Sequence, residues 1–357
     1  MRLLVLPGDG IGPEITASTC EVLALLSEKF SLGLSFESHE IGLTTLEKEK
    51  TTFPDPVRAA CQKFEAILLG PISHNVYPPR EEGGINVSGE LRIMLDLYAN
   101  LRPSRSRPGL PHWGRTPMDL VIVRENTEGF YADRNMYQGG GEFMPTPDLA
   151  LAMRKVTATG SRRIARAGFE LAQTRRRKVV AVHKANVMRV SDALFLRETR
   201  AVAKEYPGTD YSEQLVDSMA ALLVRQAERY DVIVTTNMFG DILSDEAAEI
   251  SGSLGLAGSI NAGEEHCLAQ AQHGSAPDIA GQDKANPTSL ILSAGMLLGW
   301  LGQKHKDEKL AKAARLVEQS VDAVLANPET RTADLGGKLG TKAFTAAVCE
   351  EIRRHAG

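Results

Sequence analysis

Short β-branched apolar runs alternate along this chain with longer segments whose apolar residues recur every three to four positions, and this alternation constrains the fold more than any other feature. Runs at residues 3–6, 34–37, 66–69, 119–123, 178–182 and 231–235 have strand length; patterns beginning near Pro13 and covering 288–301 and 307–326 have helix length. Strand-length and helix-length patterns in alternation predict an α/β fold, with the C-terminal helices returning to pack on a sheet. At 357 residues the chain exceeds the usual size of a single core, and it contains no long flexible linker, so two closely joined lobes are expected. The Pro- and Gly-rich stretches at 102–117 and 135–147 are the candidate crossings or loops.

Composition removes several function classes. With 43% apolar and 24% charged residues, the chain is neither disordered nor a coiled coil. A formal charge of −4 gives no global attraction for nucleic acid or an anionic membrane, so an anionic ligand must meet a local cationic cluster. The dense basic run Arg175-Arg176-Arg177-Lys178 ends a helix pattern, where it complements the helix dipole more simply than it binds nucleic acid. Residues 290–301 are apolar but interrupted by Ser and Gly, and shorter than the roughly 20 residues a bilayer span needs; they read as a buried helix. Cys20, Cys61, Cys267 and Cys349 show no metal-type spacing, and the first residues lack the apolar length of a signal peptide. Reduced thiols and a cytoplasmic location are expected.

Three central strands end in residues with chemistry: Arg124, Lys184 and Asp241. Ligands gather at the carboxyl ends of strands in open α/β sheets, so the three can share a pocket, although each alone also suits a solvated strand end. Asp241 and Asp245 lie four apart at the start of a helix, which puts two hard oxygen donors on one side, as Mg²⁺ or Mn²⁺ requires. Ordinary acids favoured by a helix N-terminus are the alternative unless a third acid, such as Asp217, converges. Arg92 and Arg102 flank an apolar, helix-like stretch; with Arg124 they supply three planar forks suited to a dicarboxylic acid.

Two glycine-rich segments differ in promise. Residues 8–14 follow a strand and precede a helix, but the spacing is G-x-G-x-G and Pro13 removes a backbone donor, so a tight strand-to-helix turn is the better reading. Residues 273–287 are too long and polar for a simple turn and look like a binding loop. Within it, Asp278 can accept hydrogen bonds from a ribose diol and repel a 2′-phosphate, which favours NAD over NADP. His183 and His273 taken singly suit hydrogen-bonded structural roles.

In order, residues 8–14, 91–103, 123–131, 183–187, 237–245 and 273–287 resemble the isocitrate and 3-isopropylmalate dehydrogenase family of β-decarboxylating dehydrogenases; the resemblance spans essentially the whole chain. Its most specific parts are Asn237-Met238-Phe239-Gly240-Asp241-Ile242-Leu243-Ser244-Asp245 and the 273–287 loop. The resemblance implies a non-Rossmann, two-lobed α/β homodimer with a large mixed twisted sheet. Residues 1–99 and 250–357 would form the large lobe with the NAD loop. Residues 100–249 would form the smaller lobe, with dimer contacts, metal ligands and substrate residues.

It further implies that Arg92, Arg102 and Arg124 clamp substrate carboxylates, that Asp217, Asp241 and Asp245 hold Mg²⁺ or Mn²⁺, and that Lys184 and Tyr131 are the catalytic base and acid. Lys184 and Asp217 would enter from the partner subunit. His273, Gly274, Ser275, Ala276, Pro277, Asp278 and Asn286 would bind NAD. Asn86 and Ser88, with Ile85 beside them, occupy the place where the substituent on C3 is sensed. Isocitrate-specific relatives carry serine and asparagine there in the opposite order, so the substrate is a malate-type acid with its substituent open: 3-isopropylmalate, isocitrate, homoisocitrate, D-malate or tartrate. A non-catalytic NAD-binding protein would not need Lys184, Tyr131 and the three aspartates together.

Overall fold

A computed structural model describes residues 1–131 and 140–355. Ten strands form one mixed sheet. From one edge it runs through β2 (Ser35–Ser38), β1 (Arg2–Leu6), β3 (Ala66–Leu69), β12 (Cys267–Gln270) and β11 (Ile260–Ala262). It continues through β4 (Ala99–Arg105), β5 (Asp119–Glu125), β10 (Val232–Thr235), β8 (Lys178–His183) and β9 (Asp210–Leu215). Strands from both chain ends thus build one half and central strands the other. Each half is parallel, whereas β12, β11, β4 and β5 pair antiparallel in the middle.

Continuous apolar runs, rather than alternating ones, mark strands covered on both faces. In β1, Leu3 and Val5 face the core beneath α1 (Gly12–Phe30), α9 (Thr288–His305), α10 (Glu308–Ala326) and α11 (Thr341–Arg354). Leu4 and Leu6 face the other way, beneath α3 (Asp55–Cys61) and α4 (Val87–Met94), which follow α2 (Leu43–Glu49) in the chain. The second half repeats the plan: Val121, Val123 and Val234 pack under α5 (Ala158–Gln173) and α6 (Ser191–Ala203). Leu120, Ile122 and Ile233 pack under α7 (Val216–Gln226) and α8 (Asn237–Ser251). The stretch 290–301 lies within α9, buried as expected.

Two expectations need correction. Arg92 and Arg102 do not flank a helix: α4 stops at Met94, and Arg102 sits in β4, paired to β5 on one side and β11 on the other. The first proposed crossing therefore begins only after Arg105. In the second, residues 142–146 form β6 (Glu142–Thr146), a hairpin strand with β7 (Leu149–Ala152); residues 135–139 lie outside the described residues. Both hairpin strands are exposed, with Phe143, Met144, Leu149 and Leu151 on the surface.

The turn at residues 8–12 is as tight as its glycines suggest. Gly10 has φ +56°, and a Cβ there would lie 2.1 Å from the Ser275 carbonyl oxygen. The Ile11 N–H donates to that same oxygen at 2.8 Å. Asp9, buried, accepts from the N–H groups of Leu43 (2.7 Å) and Ser73 (2.8 Å) and from the Tyr77 hydroxyl (2.5 Å). The first glycine segment is thus the floor under the second. The first half of the basic run is engaged locally: Arg175 pairs with Asp119 (2.8 Å) and with the fully buried Asp231 (2.8 Å), and the Arg176 side chain donates to the carbonyls of Glu228 and Asp119.

Candidate active site

A cleft of about 310 Å³ opens where β4, β5 and α8 meet the start of the 273–287 loop. Arg92, Arg102, Arg124, Tyr131 and Asp241 line it, with Asn86 and Ser88 on one wall and His273 and Gly274 on another. The spacing of Asp241 and Asp245 sets them one turn apart on α8. They are not helix-start acids, because α8 begins at Asn237 and has no acid in its first turn. The dipole explanation for these carboxylates therefore falls away.

Two buried arginines converge on them. Arg102 Nη1 lies 3.1 Å from Asp241 Oδ1 and 3.0 Å from Asp245 Oδ1, and donates to Ser244 Oγ at 2.8 Å. Arg124 pairs with Asp241 and donates through Nε (3.0 Å) and Nη2 (2.6 Å) to Asn237 Oδ1. Burial, followed by repulsion from Arg102, pushes the Arg124 guanidinium down to about 10, so it stays charged at neutral pH. Two cations crowded in a cleft favour an anionic ligand. Tyr131 Oη lies 3.4 Å from Asp241 Oδ2, which places the phenol at the same carboxylate.

Of the three strand-end residues, Arg124 and Asp241 share this cleft. Lys184 instead pairs with Asp217 (2.7 Å), and neither lines it. Among the described residues of one chain, no group of three His, Cys, Asp or Glu side chains converges as a metal site. Asp241, which lines the cleft, and Asp245, one turn further along α8 and joined to it through Arg102, are hard oxygen donors of the kind a divalent cation takes.

The long loop packs as a cradle. Ser275 is buried, its hydroxyl 2.7 Å from that of Ser73; Ala276 has φ +36° and leads into a short turn carrying exposed Pro277 and Asp278. Asn286 accepts from the Thr288 N–H (3.0 Å) at the start of α9 and donates to Asp334 (3.0 Å). Burial lowers the His273 pKa, and with Nδ1 2.9 Å from the Gly274 carbonyl, the neutral ring carries its proton there. Its buried Nε2 is then an acceptor with no hydrogen-bond partner among the described residues. On the opposite wall, Asn86 caps α4 by accepting from the Gly89 N–H (3.0 Å), and Ser88 donates to Gln270 (2.9 Å). Ile85 packs against the core beneath α4.

Sequence reasoning assigned no role to Asn237 or Gln272. Asn237 holds Arg124, and Gln272 donates to Asp245 Oδ1 at 2.9 Å. Asn237 opens the 237–245 motif and Gln272 adjoins the 273–287 loop, which was the only signal.

A family model described as isocitrate/isopropylmalate dehydrogenase matches residues 2–352. The chain is 39% identical to a 3-isopropylmalate dehydrogenase of Sulfurisphaera tokodaii, covering 94% of this chain and 95% of that one. It is 42% identical to an isocitrate/homoisocitrate dehydrogenase of Thermus thermophilus, covering 99% and 98%. Its fold matches the crystal structure of isocitrate dehydrogenase from Methylococcus capsulatus at a TM-score of 0.86 and 36% identity, over 99% of both chains. The chain therefore belongs to the isocitrate/isopropylmalate dehydrogenase family and is a dehydrogenase acting on a CH–OH group.

Proposed function

We propose that this enzyme oxidises and decarboxylates a malate-type 2-hydroxy-3-carboxy acid, using NAD and Mg²⁺ or Mn²⁺, as a homodimer with shared active sites. The observation that carries the reading is the convergence of Arg92, Arg102, Arg124, Tyr131 and Asp241 on one polar cleft. Arginine forks bind the substrate carboxylates in two-point fashion. Asp241 and Asp245, with Asp217 of the partner subunit, would hold the cation, and the 273–287 loop would hold the dinucleotide. When bound, the cation withdraws electrons from the substrate oxygens and the nicotinamide accepts the hydride.

The protein groups then divide the proton work. Lys184 of the partner subunit accepts the hydroxyl proton as hydride leaves C2, and Tyr131 returns a proton to C3 after CO₂ departs. Sharing between subunits is supported by two features: Lys184 and Asp217 form a pair outside their own cleft, and exposed apolar Val187, Val190, Val224 and Ile242 lie near them in sequence or on α7 and α8. The two lobes, residues 1–99 with 250–357 and residues 100–249, would then close on the cleft.

A polar C3 substituent fits best, of the isocitrate or homoisocitrate type. Asn86 and Ser88 face the cleft, whereas Ile85 packs into the core and Phe130 lies beside Arg154. An apolar substituent, as in 3-isopropylmalate, would rest on Pro71 and Ile72, which also line the cleft. The test is NADH formation with Mg²⁺ from isocitrate, homoisocitrate, 3-isopropylmalate, D-malate and tartrate, repeated with NADP and with a chelator. Turnover of a tricarboxylic acid, abolished by chelation, is expected; no turnover of any of the five would overturn the reading.

A further inference from the structure

Arg154 lies outside the cleft and outside every motif, between β7 and α5. Both terminal nitrogens of its guanidinium are nonetheless bonded. Nη1 pairs with Asp192 Oδ1 and reaches Ser191 Oγ (3.0 Å) and Met188 Sδ (3.3 Å). Nη2 donates to Thr236 Oγ1 (2.9 Å), and the guanidinium carbon lies 5.3 Å from the Phe239 ring centroid and 6.0 Å from that of Phe130. The Arg154 side chain is 8% exposed and that of Asp192 0%. A carboxylate fully removed from water is tolerated only when paired and hydrogen-bonded, and losing one partner leaves an uncompensated buried charge.

Asp192 spends its second oxygen on one group, the backbone N–H of Lys184, at 2.6 Å. The next residue is fixed too, the Ala185 N–H donating to His183 Nδ1 at 3.0 Å. The Lys184 carbonyl accepts from Val187 (3.0 Å) and Met188 (2.9 Å), closing the segment on itself. Lys184 stands one residue beyond the end of β8, and its four-carbon stem magnifies any change in backbone direction there.

We propose that Arg154, acting through Asp192, is a positioning residue that fixes the Lys184 segment relative to the elements bearing Tyr131 and Asp241. Thr236 is the N-cap residue just before α8, four before Gly240 and five before Asp241, and Phe130 adjoins Tyr131. One buried cation therefore ties three pieces of catalytic machinery that sequence separation scatters. The inference rests on the reading of Lys184 as the base. Since that reading gives Lys184 to the partner's cleft, the same guanidinium mechanically links the two clefts of the dimer.

The test combines hydrogen exchange of the intact protein, without substrate, with steady-state kinetics on whichever of the five acids the wild type turns over. Arg154→Met and Asp192→Asn should speed exchange in peptides covering 183–192 by about five- to tenfold, the protection one hydrogen bond contributes, leaving α9 and β10 unchanged. They should lower kcat by about 100-fold, the cost of a small misplacement, with KM held within about threefold. Arg154→Lys, which keeps the charge beside Asp192 but not the second nitrogen on Thr236, should restore the exchange protection more fully than kcat. The double variant Arg154→Met/Asp192→Leu removes both charges, so it folds without a buried lone ion and should still lose kcat. Unchanged exchange at 183–192, KM rising in step with the loss of kcat, or exchange rising uniformly across the sheet would each overturn the proposal. A wild type inactive on all five acids but with the local exchange effect would overturn the assigned reaction instead.

Discussion

Lys184 Nζ lies 2.7 Å from Asp217 Oδ1, and neither residue lines the cleft where Tyr131 meets Asp241. On the proposed reading, in which Lys184 is the base and Asp217 a metal ligand, such a pair set apart from the cleft is what a site shared between subunits would leave visible in one of them. Mixing the impaired Lys184→Ala and Tyr131→Phe proteins, with subunit exchange, should raise steady-state turnover well above that of either alone, because a heterodimer contains one cleft with both groups intact. Absence of recovery, with heterodimers shown to form, contradicts sharing.

Tyr131→Phe should separate the two halves of the reaction. Hydride transfer needs no phenol, so the first turnover of NADH in a rapid-mixing experiment should change little, whereas release of the decarboxylated product slows by about 100-fold, within the usual range for a lost general acid. Equal slowing of both steps contradicts the assignment of Tyr131 to C3.

Arg124→Lys keeps a charge but not the fork. Asn237 and Asp241 are engaged by different nitrogens of the guanidinium, and an ammonium cannot reproduce that plane. Losing charge-assisted hydrogen bonds of about 1.5–3 kcal/mol predicts a fall of about 10- to 100-fold in kcat/KM for the hydroxy acid. The KM for NAD should be little changed. Steady-state titration of each substrate in turn checks this.

Gly10→Ala should act on the cofactor loop from beneath. The added Cβ would sit 2.1 Å from the Ser275 oxygen, at φ +56°. Strain and displacement together should cost roughly 1–3 kcal/mol of stability, as strained backbone positions do. The KM for NAD should rise more than the KM for the hydroxy acid. Thermal unfolding and the two titrations measure the two effects.

Asp278→Ser should relax cofactor choice. The carboxylate is exposed at the tip of the loop, where its charge opposes a 2′-phosphate. The ratio of kcat/KM for NAD over NADP should fall by about tenfold, on the scale of one charge interaction in a partly solvated site. An unchanged ratio removes Asp278 from the selection.

Much of this was legible in the sequence because it was local. Strand runs such as 66–69 and 119–123, the spacing of Asp241 and Asp245, and the glycines under the 273–287 loop each declare themselves within a few residues. The boundary between α4 and β4 was not, because Leu91, Met94, Leu95 and Tyr98 repeat at the three- and four-residue spacings of a helix; Arg102 becomes a strand residue through pairing with Ile122 of β5. Arg154 and Asp192 were invisible for the same reason. Each reads as an ordinary surface charge until tertiary structure buries the pair. Asp9 likewise looked like part of a turn, and its role in joining Leu43, Ser73 and Tyr77 depends on contacts 34, 64 and 68 residues away.

The most direct test of the account is the stoichiometry of carbon dioxide and NADH released by the purified protein, with Mg²⁺ and NAD, from the acid it turns over fastest. One CO₂ for each NADH is predicted, both lost on chelation. NADH formed without CO₂ would show a simple alcohol dehydrogenase and contradict it.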